Sequence, residues 1–156
     1  MFREMRRDRQ KLGAEECERI LKTAKRGVLS LLGDGGYPYG VPMDFVYENG
    51  KIYFHSAVEG HKVDALKRCD RVSFCVVNEG EKEPGEWWYR FSSVIVFGRI
   101  GIVADEQARI AALRMLGLKF YPTEEEVDAE IKKDAARALI LEIDIEHMSG
   151  KTVREK

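Results

Sequence analysis

Apolar positions recur along this chain first at helical and then at strand spacing. Ala14, Cys17, Ile20, Leu21 and Ala24 share one face of a 3.6-residue repeat, with Glu15 and Glu16 early and Lys22, Lys25 and Arg26 late, the order a helix dipole favours. The spacing predicts a helix over about residues 14–25, closed by Gly27. Val28-Leu29-Ser30-Leu31-Leu32 reads as a strand and Gly33-Asp34-Gly35-Gly36 as a tight turn. The returning arm, 37–47, contains Pro38 and Pro42, which donate no ladder hydrogen bond. They mark an edge, a bulge or a stretch that faces something other than a strand. Asn49-Gly50 is a hairpin turn into a strand over 51–56.

After a loop at 57–60, Val63, Ala65 and Leu66 among charges predict a short one-sided helix over 61–68, and 71–78 returns to strand. Residues 79–86 are polar and flexible in character. The run 88–103, rich in aromatic and β-branched residues, is the longest expected strand, with Gly98 and Gly101 as bend points. Asp105 caps a helix to about 119, Pro122 breaks it, and Thr123 with Glu126 forms a capping box for a helix to about 136. Leu139, Leu141, Ile143 and Ile145 alternate with Glu142, Asp144 and Glu146, giving a half-buried strand over 138–147. Hairpin connections dominate and no GxGxxG turn is present, so the fold class is mainly β, a closed or split antiparallel barrel flanked by helices.

With 156 residues the chain is read as one domain over 1–156, residues 1–11 forming a flexible arm. Charges nearly balance, 26 Lys plus Arg against 27 Asp plus Glu, which excludes a broad nucleic-acid surface and favours a specific small ligand. No apolar run approaches the length of a membrane span, and 1–11 lacks the apolar core of a secretion signal, so the expected location is the cytoplasm. Cys17, Cys69 and Cys75 lack CxxC spacing and are assigned neither metal nor disulfide, Cys75 being read as a small buried thiol.

The candidate chemistry lies where the strand Ile52-Tyr53-Phe54-His55-Ser56 passes through Gly60 into His61-Lys62. A helix start offers unpaired N–H groups and partial positive charge, and a lysine beside it adds a full one, which together seat a phosphate. Lys62 reads either as a solvated side chain or as that point charge, and Gly60 either as a loop residue or as the close backbone approach a phosphate nest needs.

Gly40-Val41-Pro42-Met43-Asp44-Phe45-Val46-Tyr47, Ile52-Tyr53-Phe54-His55-Ser56-Ala57, Gly60-His61-Lys62 and Tyr89-Arg90-Phe91-Ser92-Ser93-Val94-Ile95-Val96-Phe97-Gly98-Arg99, in this order, resemble the flavin-binding split-barrel superfamily of pyridoxamine 5'-phosphate oxidase. Within it they look most like the nitroimidazole-resistance, NimA-like branch, Met148-Ser149-Gly150-Lys151 matching that branch's strand-end turn. The resemblance implies an FMN-binding split barrel acting as a homodimer, with each FMN at the subunit interface. It places Pro42, Met43 and Asp44 along the flavin's pyrimidine side, His55 and Ser56 at the strand end beside ring and phosphate, and His61 and Lys62 at the phosphate. Arg90, Ser92 and Ser93 would reach the flavin from the other protomer.

The implied activity is an oxidoreductase that passes electrons from reduced flavin to a small acceptor such as a nitroaromatic, with His55 as the catalytic side chain donating a hydrogen bond or proton. The arginine and histidine that hold pyridoxal phosphate in the true oxidases have no evident counterpart, so vitamin B6 oxidation is not expected. Two other readings stay open: a flavin-binding or sensing module without turnover, and a split barrel for deazaflavin or heme. On the residues alone, His55 reads more readily as a core or interface histidine than as a catalytic one, and His147 as a surface or interface one. Trp87, Trp88 and Tyr89 fit a dimer seam better than a cover over the flavin.

Overall fold

The computed structural model describes residues 2–153. Their elements run β1 (Lys11–Leu12), α1 (Ala14–Thr23), β2 (Arg26–Leu32), β3 (Pro38–Asp44), β4 (Val46–Glu48), β5 (Lys51–Ala57), α2 (His61–Arg68), β6 (Arg71–Val77), β7 (Phe91–Ile102), α3 (Glu106–Phe120), α4 (Glu124–Asp134) and β8 (Ala138–Val153). One antiparallel sheet is ordered β3-β2-β6-β7-β8-β5-β4, with β1 added on β8. Its two edge strands, β3 and β4, are separated in sequence by Phe45 alone, so the sheet has to curl until its edges lie within reach of each other. The Phe45 N–H donates to the Lys25 carbonyl at 3.4 Å across that junction.

The barrel stays open along one seam. β4 pairs with β5 only at Lys51, Ile52 and Tyr53, so from Phe54 to Ala57 β5 has β8 on one side and no strand on the other. β3 likewise pairs only with β2. Pro42 therefore sits where its missing N–H costs no ladder bond, on the outer strand, as its sequence context suggested.

Inward residues of the strands fill the barrel: Leu29 and Leu31, Ile52 and Phe54, Phe74 and Val76, Val94 and Val96, Leu141 and Ile143, closed at one end by Cys17, Ile20 and Leu21 of α1. Phe74 meets Phe45 and Phe54 edge-on, at ring distances of 4.9 and 5.1 Å, and each ring so buried contributes about 2–3 kcal/mol. A smaller core of Ala112, Leu116 and Ile140 docks α3 on the outer side of β4, β5 and β8. α3 and α4 are capped as their sequences predict, Asp105 accepting from the Ala108 N–H at 2.8 Å and Thr123 from the Glu126 N–H at 3.3 Å. Arg114 clasps them together through Glu124, at 2.9 Å, and Asp128.

Several boundaries depart from the sequence reading, each for a reason that lies far along the chain. α1 ends at Thr23, and Gly27 is not its cap but a buried residue of β2, where a Cβ would fall 2.5 Å from the Phe74 ring. β7 starts at Phe91 rather than at 88, because ahead of it only Arg90 pairs, with Glu81. β8 continues to Val153, so 148–151 is strand and not a turn, held by β7 and β1. Gly150 permits this by letting Cys17 Sγ and Leu12 lie directly against the backbone.

The arm expected to be flexible is tied down in part: Lys11 and Leu12 pair with Lys151 and Gly150, and Phe2 stacks on His147 at 4.8 Å. Cys75 is only half-buried, facing outward from β6.

Candidate functional site

Across the open seam lies a cleft of about 360 Å³ lined by Arg26, Pro42, Met43, Asp44, His55, Ser56, Ala57 and Lys62. It is built from the two unpaired strand edges. β3 contributes Pro42, Met43 and Asp44, β5 contributes His55, Ser56 and Ala57, and α2 brings Lys62 over the end of β5. Backbone groups on such edges are free to bond a planar ligand laid between them.

The alternation of β5 turns Phe54 and Ser56 inward and leaves His55 exposed on the other face. Ser56 is the one polar side chain buried among the described residues, its hydroxyl donating to the Ala57 carbonyl at 3.1 Å. At the opposite wall, Arg26 Nε donates to Asp44 Oδ1 at 2.7 Å, across the register pair that joins β2 to β3. That bond sets the Arg26 charge beside a carboxylate of the same cleft. Lys62, half-buried, has no ionic partner among the described residues, so of the two basic side chains lining the cleft it is the one without a carboxylate.

Gly60 enters α2 with φ +129°, ψ 169°, a conformation closed to side chains with a Cβ, and nothing lies within 4 Å of where that Cβ would be. Among the described residues no side chain caps α2, so its first N–H groups stay open at the helix start that carries Lys62.

The structure gathers Pro42, Met43, Asp44, His55, Ser56 and Lys62 of the sequence-predicted residues, and leaves four elsewhere. His61 does not line the cleft. Its ring stacks on Tyr39 at 4.1 Å and its Nε2 lies 3.7 Å from Asp34, which also binds Arg68. Arg90 pairs with Glu83 at 2.8 Å, the Ser92 hydroxyl shares a 2.8 Å hydrogen bond with Thr152, and Ser93 sits opposite Val77 and Lys151. Lys151 lies far along β8 from Ile140, the partner of His55, roughly 35 Å of strand at 3.3 Å per residue, so within one chain Ser93 and His55 do not share a pocket. Arg26 and Ala57 were missed by sequence reasoning. The one available signal for Arg26 was its place just ahead of the first strand, opposite an arm with two prolines.

A second cavity, of about 370 Å³, lies between the α3–α4 pair and the sheet and shares Asp44 and His55 with the cleft. Behind it, Lys119 of α3 reaches the Phe45 carbonyl at 2.7 Å and the Ala24 carbonyl, its ammonium 4.1 Å from the centre of the Phe45 ring. Burial pushes its pKa down to about 8, with Asp44 opposing the shift. Among the described residues no helix is long and apolar enough to cross a membrane.

Comparison with known proteins fits this architecture. A candidate 5-nitroimidazole antibiotic resistance protein from Bacteroides thetaiotaomicron superposes with a TM-score of 0.76 at 22% identity, over 91% of this chain and 86% of the other. An FAD-binding protein from Mesorhizobium loti does so with a TM-score of 0.67 at 24% identity, over 93% and 98%. The flavocytochrome Anf3 from Azotobacter vinelandii gives a TM-score of 0.78 at 19% identity, over 97% of this chain and 73% of the other. No curated protein matches the chain. At these identities the structural likenesses establish the fold, an antiparallel β half-barrel with flanking helices. The sequence model for pyridoxamine 5'-phosphate oxidase matches residues 13–152, from the start of α1 to the end of β8, and the chain belongs to that family.

Proposed function

We propose that the chain is an FMN-dependent oxidoreductase that binds the flavin in the β3–β5 cleft and serves a small acceptor such as a nitroaromatic. The observation that carries this reading is the convergence of two unpaired strand edges with Lys62 and the uncapped start of α2, a slot for a planar ring beside a seat for a phosphate. The residues fit the cofactor: Lys62 and the α2 N–H groups take the phosphate, and the edges at Pro42–Asp44 and His55–Ala57 take the ring. FAD and heme, which occur in the names of relatives of the same fold, are distinguished from FMN by the mass of the ligand released from purified protein.

When bound, the flavin supplies the redox chemistry, and the protein sets its face, polarity and access. His55, exposed where the cleft meets the second cavity, donates a hydrogen bond or a proton to the acceptor. Arg90, Ser92 and Ser93 require a second copy of the chain. Val28, Cys75 and Ile95 line up across β2, β6 and β7 by register, and Val28 and Ile95, with Val77 and Phe97, are large apolar side chains exposed on this outward face. Such a face is covered in a homodimer, and Trp87 and Tyr89, 80% and 57% exposed, extend the seam. The partner copy then supplies Arg90, Ser92 and Ser93 to the flavin.

The test is reoxidation of the reduced, FMN-loaded protein by a nitroaromatic without oxygen. Reoxidation with release of a reduced nitro product supports turnover. A protein that keeps its flavin reduced is a binding or sensing module.

A further inference from the structure

The cavity beneath α3 and α4, open to solvent on one side, has the size of a small-ligand site. Sites for small organic ligands begin at roughly 300 Å³; this one measures about 370 Å³. Its walls are mainly apolar, from Leu113, Leu116 and Phe120 of α3 and from Val127 and Ile131 of α4. It meets the seam at Asp44 and His55, the two residues it shares with the cleft.

Its charge is one-sided. The ionisable side chains lining it are Asp44, Glu130 and Asp134, with Tyr121 and His55. Asp44 is engaged by Arg26 at 2.7 Å, and Asp134 has Lys133 at 3.8 Å. Glu130, half-buried, has no ionic partner among the described residues and lies one helical turn from Asp134, a like-charge spacing. Among the described residues no lysine or arginine lines the cavity to receive an anion.

We propose that this cavity is a second ligand site, for small aromatic molecules bearing a cation or a hydrogen-bond donor, placed so that the ligand's ring ends at His55 against the flavin cleft. The site rests on the flavin reading for its role as the acceptor site, but not for its existence. The apolar walls take the ring, Glu130 takes the cationic or donor group, and anions of the same shape are turned away.

The experiment titrates tryptamine and indole-3-acetate, a cation and an anion on one ring system, into FMN-loaded and FMN-free protein by calorimetry. Tryptamine is expected to bind both forms, about tenfold more tightly than indole-3-acetate, because the Glu130 carboxylate attracts the one and repels the other. In Glu130→Gln the ratio falls below about threefold, and Leu113→Trp, which fills the cavity, abolishes tryptamine binding while FMN affinity and the melting temperature stay near wild type. A Leu113→Trp protein that fails to fold leaves the Glu130→Gln comparison to decide. Equal affinity for the two probes, no binding of either, or binding unchanged in Glu130→Gln overturns the site. Displacement of FMN by tryptamine overturns its placement beside the flavin. Failure of FMN to bind, with tryptamine still discriminated, overturns the acceptor role alone.

Discussion

Lys119 Nζ donates to the Phe45 carbonyl at 2.7 Å, tying α3 to the single residue that joins the two edges of the sheet. The same ammonium bonds the carbonyl of Ala24, at the C-terminal end of α1, so one side chain closes the barrel's junction from three elements. Lys119→Met leaves both carbonyls without this donor and should cost about 1–3 kcal/mol at pH 7, measured by urea unfolding.

The pH dependence of that cost follows from the lowered pKa. Lys119 titrates at about 8 in the fold against 10.5 for an ordinary lysine, so between these values the unfolded chain holds more protons and stability contributed by this group rises with pH. Below about 8 both states are protonated and the contribution is flat. The cost of Lys119→Met should therefore grow from pH 8 to 9.5, by about 1 kcal/mol once partial exposure is allowed for. A cost that shrinks over this interval contradicts the burial of the cation. Comparing wild type with the variant cancels Cys17, Cys75, Tyr47 and Tyr53, whose raised pKa values act in the opposite direction at higher pH.

Gly98 and Gly101 look alike in the sequence, two glycines in one long strand. Only Gly98 sits at the register shift, where Phe97 faces His147 but Gly98 faces Ile145 and Glu146 is the extra residue. A Cβ at Gly98 would fall 2.7 Å from Ile143 Cγ2 and closer still to the Asp144 carbonyl oxygen, while at Gly101 nothing lies within 4 Å. Gly98→Ala should lose about 2 kcal/mol or more and Gly101→Ala should be neutral to slightly stabilising, as read from denaturant midpoints.

His55 is exposed and makes none of the hydrogen bonds or ion pairs that hold the seam. His55→Ala should keep flavin affinity within about threefold of wild type while acceptor-driven reoxidation slows by 10- to 100-fold. Loss of flavin together with activity would make the side chain part of the cofactor seat instead.

The outward apolar face yields a separate test. Ile95 is 39% exposed at the middle of that face. Ile95→Lys places a charge in the proposed seam and should weaken self-association at least 100-fold, about 3 kcal/mol, in sedimentation equilibrium. A wild-type chain that sediments as a monomer removes the homodimer and, with it, the role of Arg90, Ser92 and Ser93.

The strands, the capped α3 and α4 and the edge prolines were legible because local patterning and turn chemistry dictate them. Motif order singles out Pro42, Met43, Asp44, His55, Ser56 and Lys62, and the fold brings them to one cleft. What was not legible depends on contacts across long sequence distances. Gly27 resembles a helix cap until Phe74 is placed against it, and Gly150 resembles a turn until Cys17 packs on it. His61 resembles a phosphate ligand until Tyr39 stacks on its ring. Arg26 joins the site only because strand register sets it opposite Asp44, and Lys119 carries no local signature of the junction it ties.

The most direct measurement compares FMN with riboflavin binding, by flavin fluorescence quenching, in wild type and Lys62→Ala. Wild type should take up FMN at one per chain and prefer it to riboflavin, and Lys62→Ala should lose roughly 10- to 100-fold in FMN affinity, the worth of one charge-assisted hydrogen bond, with riboflavin binding unchanged. Equal losses for both ligands, or no uptake of FMN by the folded wild-type chain, would contradict a phosphate seat at the start of α2.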